Sequence, residues 1–282
     1  MSGWGDFMRR LVIFSFVLFG TFALALNNFY LQTGGSGVIA RGYNSAFGSP
    51  SDLYGILNSA FSTSFTEVTR STPAIVHERH LHVQLFEDSD DGMAGMLQYY
   101  MDIGPDSKLR SLSYTISGGL GVLTNYGIDL KVNMEVDTDT TYGVVVKGGI
   151  SGKAFELMEY VAAFETTLWT SGSTANAVDL LAGIRFVPGP FVIGVELGTR
   201  FGMDVRYFGL STQYTYNQMF SARGGASVNL DFLNNIDFLV GAGIDVKIGN
   251  MIITSGMGTN LSKTIDSLNY DLIWNVGLLG QW

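Results

Sequence analysis

The chain has 282 residues, 36 glycines, 13% aromatic residues, 15% charged residues, no cysteine and a net charge of −9. That acidic balance argues against nucleic acid as a partner, because phosphate binding needs a basic footprint. The missing cysteines exclude disulfides, thiolate catalysis and cysteine-based metal sites, and they suit an oxidising compartment.

The charged fraction is below the soluble average of roughly 25%. Even so, no internal stretch approaches the ~20 apolar residues of a membrane helix. The hydrophobicity is distributed along the chain.

The N-terminus reads as an export signal over residues 1–25. Arg9-Arg10 form a positive n-region, Leu11 to Leu24 an apolar core, and Ala23-Leu24-Ala25 an A-x-A cleavage site. Met8 is an alternative start, and an uncleaved anchor is the alternative reading of the run. No cysteine follows, so no lipid anchor is expected.

Residues 26–60 differ from all that follows. They are rich in glycine and serine and show little alternation, with Val38, Ile39, Phe47, Leu53, Ile56, Leu57 and Phe61 as apolar anchors. Gly34-Gly35-Ser36-Gly37 lacks the flanking strand, helix and Lys-Ser/Thr pair of a phosphate loop. A compact segment packed inside a larger structure is the reading.

Residues 61–282 read as one strand after another, and their periodicity of two follows from side chains pointing to opposite faces. In "YGIDLKVNMEVDTD", Tyr126, Ile128, Leu130, Val132, Met134 and Val136 share a face, while Asp129, Lys131, Asn133 and Glu135 share the other. The stretches beginning at Phe191, Phe220 and Ile236 repeat the pattern. The runs are ~10 to 14 residues, longer than the ~5 to 6 of ordinary strands. Aromatics recur near their ends at Tyr126, Tyr142, Trp169, Phe201 and Tyr270, as interfacial girdles require. A soluble exported β-protein is the alternative.

The fold class is therefore all-β: an antiparallel transmembrane β-barrel of about fourteen strands, with twelve as the alternative count. Closure is obligatory, because an open edge in lipid leaves backbone groups unpaired. Short connections at Pro188-Gly189-Pro190, Asn217-Gln218, Asn234-Asn235 and Gly249-Asn250 carry hairpin chemistry.

Early in the barrel, "VHERHLHVQ" places Glu78, His80 and His82 on one strand face. Their spacing of ~6 to 7 Å along a strand is wide for one ion, so the expectation is a polar lumenal cluster with no metal. Inward-facing charges of both signs, among them Asp129, Lys131, Lys147, Glu165, Arg185, Glu196, Arg200, Arg223 and Asp245, are expected to pair across strands or to hold the N-terminal segment. No Ser-His-Asp arrangement or nucleophile elbow can be assembled, and neither an enzyme nor a cofactor is expected.

The chain ends on "LIWNVGLLGQW". Leu272, Trp274, Val276, Leu278 and Trp282 alternate with Asn275, Gly277 and Gln281. Trp274, Val276, Leu278 and Trp282 read as the terminal strand and assembly signal of an outer-membrane barrel, facing lipid and recognised by the barrel-assembly machinery.

The run "ARGYNSAFGSPSDLYGILNSAF" resembles the N-terminal signature of the FadL-like outer-membrane proteins, with Ala40-Arg41-Gly42, Ala46-Phe47 and Asn58-Ser59-Ala60 at corresponding places. Ser59 stands for the usual proline and Phe61 for glycine, and the loops are shorter than in that family. The resemblance implies a hatch over residues 26–60 inside a fourteen-stranded barrel of the bacterial outer membrane. It implies passive uptake of hydrophobic small molecules, of fatty-acid or hydrocarbon type, along a path that includes Gly35, Gly37, Arg41, Gly42, Phe47 and Asn58. A structural or assembly protein without transport and a polar-solute porin are the alternatives.

Overall fold

The computed structural model describes residues 31–33, 35–70, 75–89, 92–103, 108–136, 140–171, 178–201, 205–230, 235–263 and 268–282. The leader expected over residues 1–25 lies outside them. The barrel strands are β1 Ala60–Arg70, β2 Val76–Glu87, β3 Met93–Ile103, β4 Lys108–Gly119, β5 Thr124–Val136, β6 Thr140–Phe155 and β7 Met158–Thr170. They continue as β8 Val178–Phe186, β9 Phe191–Phe201, β10 Val205–Tyr216, β11 Phe220–Leu230, β12 Ile236–Ile248, β13 Met251–Lys263 and β14 Leu268–Gln281.

Each strand pairs antiparallel with its neighbours in sequence, and β1 pairs with β14 from Ala60↔Gln281 to Arg70↔Asp271. The count is fourteen, not twelve, and no sheet edge remains. Closure meets the need of a lipid-embedded sheet to satisfy its backbone internally.

The strand ends beside the chain's first strand and last residue define one rim, the termini rim, and its turns are tight. Asn217 and Gln218 both have positive φ (48° and 55°) in the three-residue connection between Tyr216 and Phe220, where Met219 N–H donates to Tyr216 O at 3.1 Å and closes a tight turn. Gly249 (φ 60°) opens the turn between β12 and β13.

Strand parity sorts the side chains as the alternation predicts. Leu112, Ile128, Leu130, Leu197 and Leu272 point outward and are exposed, and Asp129, Arg185, Glu196, Arg223 and Asn275 are buried inside. Such an apolar exterior, built from single residues on every strand, needs a nonaqueous surround.

Inside the barrel lies the segment 31–59. It includes two short 3-10 turns, Gly42–Phe47 and Pro50–Leu53, and a proline fills the first position of the second. Its apolar side chains form two cores with the wall. Leu53, Ile56 and Ala60 pack with Phe86, Ala94, Met96 and Leu279, while Val38, Ile39 and Ala40 pack with Val161. Each fully buried Val, Leu or Ile contributes about 1.5–3 kcal/mol. Leu57, expected among the anchors, is instead 82% exposed, because the chain is leaving the lumen at the termini rim there.

Candidate functional site: a lumen filled and keyed by the N-terminal segment

Glycine on the lumen face decides where the segment can lie. A Cβ at Gly127 would overlap the Pro50 carbonyl, and one at Gly149 would overlap Ser49 Oγ. Across the barrel, a Cβ at Gly183 or Gly194 would run into Val38, and one at Gly225 into the Thr33 carbonyl. These glycines let two backbones approach at a distance no other residue permits.

Polar side chains from the wall then key the seated backbone. Arg185 on β8 is 1% exposed. Its Nε donates to Val38 O, its Nη2 donates to Ala40 O at 3.2 Å, and both Nη groups donate to the Asp52 carboxylate, Nη1 at 2.9 Å. One planar fork thus reads two main-chain carbonyls and a carboxylate on two separate parts of the segment, the role for which guanidinium geometry is suited. Arg41 forms an ion pair with Glu159, which also lies 3.5 Å from Arg185. Burial lowers the Arg41 pKa from its ordinary value, with the nearby Arg185 charge acting the same way, while Glu159 and Asp52 oppose the shift.

A second key comes from β9 and β10. Glu196, 1% exposed, accepts from Gly37 N–H at 3.0 Å, and the Tyr207 hydroxyl sits within reach of both Glu196 and Gly35 O, the latter at 2.7 Å. Ser36 Oγ and Ser211 Oγ are 2.8 Å apart. A third key holds Gln32, whose Nε2 donates to Thr254 Oγ1 at 2.7 Å and Ser255 O at 3.0 Å. Gln32 also accepts from Arg223, which is paired with Asp245. On β4, Ser117 Oγ lies 3.0 Å from Ser51 O and accepts from Tyr54 N–H at 3.2 Å.

Above the segment, toward the rim opposite the termini, opens a cavity of about 540 Å³. Gly35, Gly37 and Gly48 form its floor. Its walls include Lys147, Glu165, Asp179, Glu196, Arg200 and Tyr207. Arg200 is paired with Asp179 at 2.6 Å, and Lys131 with Glu165 at 3.6 Å.

The residues singled out from the sequence fall in different places. Gly35 and Gly37 floor the cavity, and Arg41 faces Glu159. Gly42 has φ 55° and opens the first 3-10 turn, where its positive φ favours glycine. Phe47 is in that turn, and its side chain lies outside the described positions. Asn58, near the termini rim and away from the cavity, accepts from the Tyr43 hydroxyl at 2.7 Å through its carbonyl.

Glu78, His80 and His82 share the lumen face of β2 but have separate partners. Arg70 donates to Glu78 at 2.9 Å, His80 Nδ1 lies 2.8 Å from Asp102, and His82 Nε2 lies 3.1 Å from Gln98. Among the described residues no group of three or more His, Asp or Glu could hold a metal ion.

At the C-terminus, Trp274 and Leu278 are exposed on the outer face, and Val276 shares their parity. Trp282 is exposed, and its N–H donates to Ser59 O at 3.1 Å, beside the first strand. Arg185, Glu196 and Arg223 were among the inward charges the sequence offered for holding the segment, but their partners and the glycine seats were missed, because no local signal says which wall glycine seats which residue. Lumen-parity glycines were the available clue.

A closed fourteen-stranded barrel with an apolar exterior and an N-terminal segment keyed into its lumen has the architecture of a transmembrane β-barrel with a filled lumen. No family model matches the chain, and no curated protein matches it in sequence. Solved structures do. A CymD monoaromatic hydrocarbon channel superposes with a TM-score of 0.73 at 9% identity, covering 92% of this chain and 98% of that one. The Ralstonia pickettii toluene transporter TbuX gives 0.68 at 10% identity, covering 92% and 98%. A Pseudomonas aeruginosa FadL homologue gives 0.61 at 7% identity, with the same coverage. At these identities the likeness establishes that the chain has the FadL-type barrel fold.

Proposed function

We propose that this chain is a bacterial outer-membrane barrel for passive uptake of hydrophobic small molecules, with residues 26–60 as a hatch that rearranges to admit them. The observation that carries this reading is a lumen filled by an N-terminal segment inside the same barrel fold as the hydrocarbon channels. Residues 1–25 are the export leader in this reading. Outer-membrane lipid surrounds the barrel, and the strand ending at Trp282 is what the barrel-assembly machinery recognises. Gly35 and Gly37 at the cavity floor and Arg41 beneath them are the residues of the set around which the hatch moves.

The test is uptake of a labelled lipophilic compound into outer-membrane vesicles carrying the full chain. Faster uptake than into vesicles without the protein is expected, and equal rates would overturn the reading. A second reading, a polar-solute channel, is favoured by the charged walls of the 540 Å³ cavity. It predicts ionic current through the intact protein in planar bilayers, which the hatch reading does not.

A further inference from the structure

The outer face of the barrel is apolar, but its charges are not scattered. By strand parity, the outward-facing basic residues with described side chains are Arg79 on β2, Arg110 on β4, Arg206 on β10 and Lys263 on β13. All four are exposed, and all four stand within four residues of the strand end at the rim opposite the termini. Among the described residues only two carboxylates share this outward parity. Glu67, at the same rim, is already engaged by His77 at 2.9 Å and Arg79 at 3.6 Å. Glu87 is the last residue of β2, at the termini rim, where the turn residues Asp88 and Glu156 add further negative charge.

Among the described residues Arg110, Arg206 and Lys263 have no carboxylate within ion-pair distance. An unpaired cation on the lipid side of a barrel costs a few kcal/mol at the bilayer midplane and about nothing at the interface. Its place at a strand end, with its long stem along the apolar wall, lets the charge reach the head-group layer. There it attracts anions, and lipid phosphates are suited both to the bidentate guanidinium fork of Arg110 and Arg206 and to the point charge of Lys263.

We propose that these outward cations form a belt of binding sites for phosphate-bearing lipid head groups in the leaflet at the rim opposite the termini. The proposal rests on the barrel standing in a membrane and not on what it carries, so the uptake reading can fail without it.

The test uses the full chain reconstituted in zwitterionic nanodiscs and titrated with lipid A, a glycolipid bearing two phosphomonoesters, or with the same lipid dephosphorylated. Retained lipid per barrel is read by native mass spectrometry. The triple variant R110Q/R206Q/K263Q should hold the bisphosphorylated lipid at least about fivefold more weakly than the parent, since each basic residue near a charged surface is worth about that factor. The dephosphorylated lipid should bind both proteins weakly and alike.

Raising salt should weaken the parent and leave the triple variant little changed. The charge-keeping variant R110K/R206K should bind within about twofold of the parent, a margin that allows for lost bidentate geometry. It also separates loss of charge from loss of fold. Equal retention by parent and triple variant, or a difference that persists with dephosphorylated lipid, overturns the proposal.

Discussion

Arg185 shows what one side chain does for the lumen. It comes from the wall, reads Val38 and Ala40 through their carbonyls, and closes on Asp52 twelve residues further along the segment. Because the arginine and the aspartate are both buried, removing one leaves the other charged and without its partner, at a cost of about 3–5 kcal/mol. Arg185→Ala should therefore loosen the segment while the barrel, held by its own backbone ladder, stays closed. Protease nicking within residues 36–56 in detergent should rise sharply, with the heat-modifiable gel shift of the barrel unchanged. Replacing both partners by apolar residues, Arg185→Met with Asp52→Leu, should restore part of the protection, since no buried charge is stranded. If Arg185→Ala is as resistant as the parent, the key is not what holds the segment.

At the scale of elements, the strands and their faces were legible and the seating of the segment was not. Alternation of side chains is a local property, so "YGIDLKVNMEVDTD" announces β5 and its two faces without knowledge of any neighbour. The terminal strand was readable for the same reason. The inward parity of Arg185, Glu196 and Arg223 was also readable, but their partners in the N-terminal segment were not, because those lie 133 or more residues away along the chain. That gap in sequence is bridged only by closing the barrel. Leu57 was misjudged because an apolar residue carries no mark of whether its backbone is inside the lumen or leaving it. The glycine seats give the element-scale prediction. Gly194→Val places a branched side chain where Val38 and Ile39 lie, on a strand that otherwise favours β-branched residues. The strand should form and the segment should be expelled, so hydrogen exchange should show loss of protection across residues 36–41 with β9 still protected. Unchanged protection of the segment would mean that it can find another seat.

The whole molecule separates cleanly into a closed wall and its filling, and this makes its electrical behaviour predictable. β1 begins at Ala60 and pairs with both β2 and β14, so the wall is complete without residues 31–58. By strand parity, eleven carboxylates among the described residues face the lumen: Glu78, Asp102, Asp129, Glu135, Glu159, Glu165, Asp179, Glu196, Asp237, Asp245 and Asp271. Eight basic residues oppose them: Arg70, Lys131, Lys147, Lys153, Arg185, Arg200, Arg223 and Lys247. Several pairs neutralise one another, as Arg223 does with Asp245 and Arg200 with Asp179. Deleting residues 31–58 also removes Asp52 and Arg41, one charge of each sign, so the excess of negative wall charge remains. An acid-lined aqueous pore concentrates cations. Under the hatch reading, the deletion variant in a planar bilayer should conduct where the full chain does not. In a KCl gradient its reversal potential should shift toward that of potassium, and the shift should shrink as salt is raised and the wall charges are screened. An anion-selective or unselective current would place the counterions differently from the parity assignment. Current of equal size from the full chain would show that the segment, however well keyed, does not block the lumen.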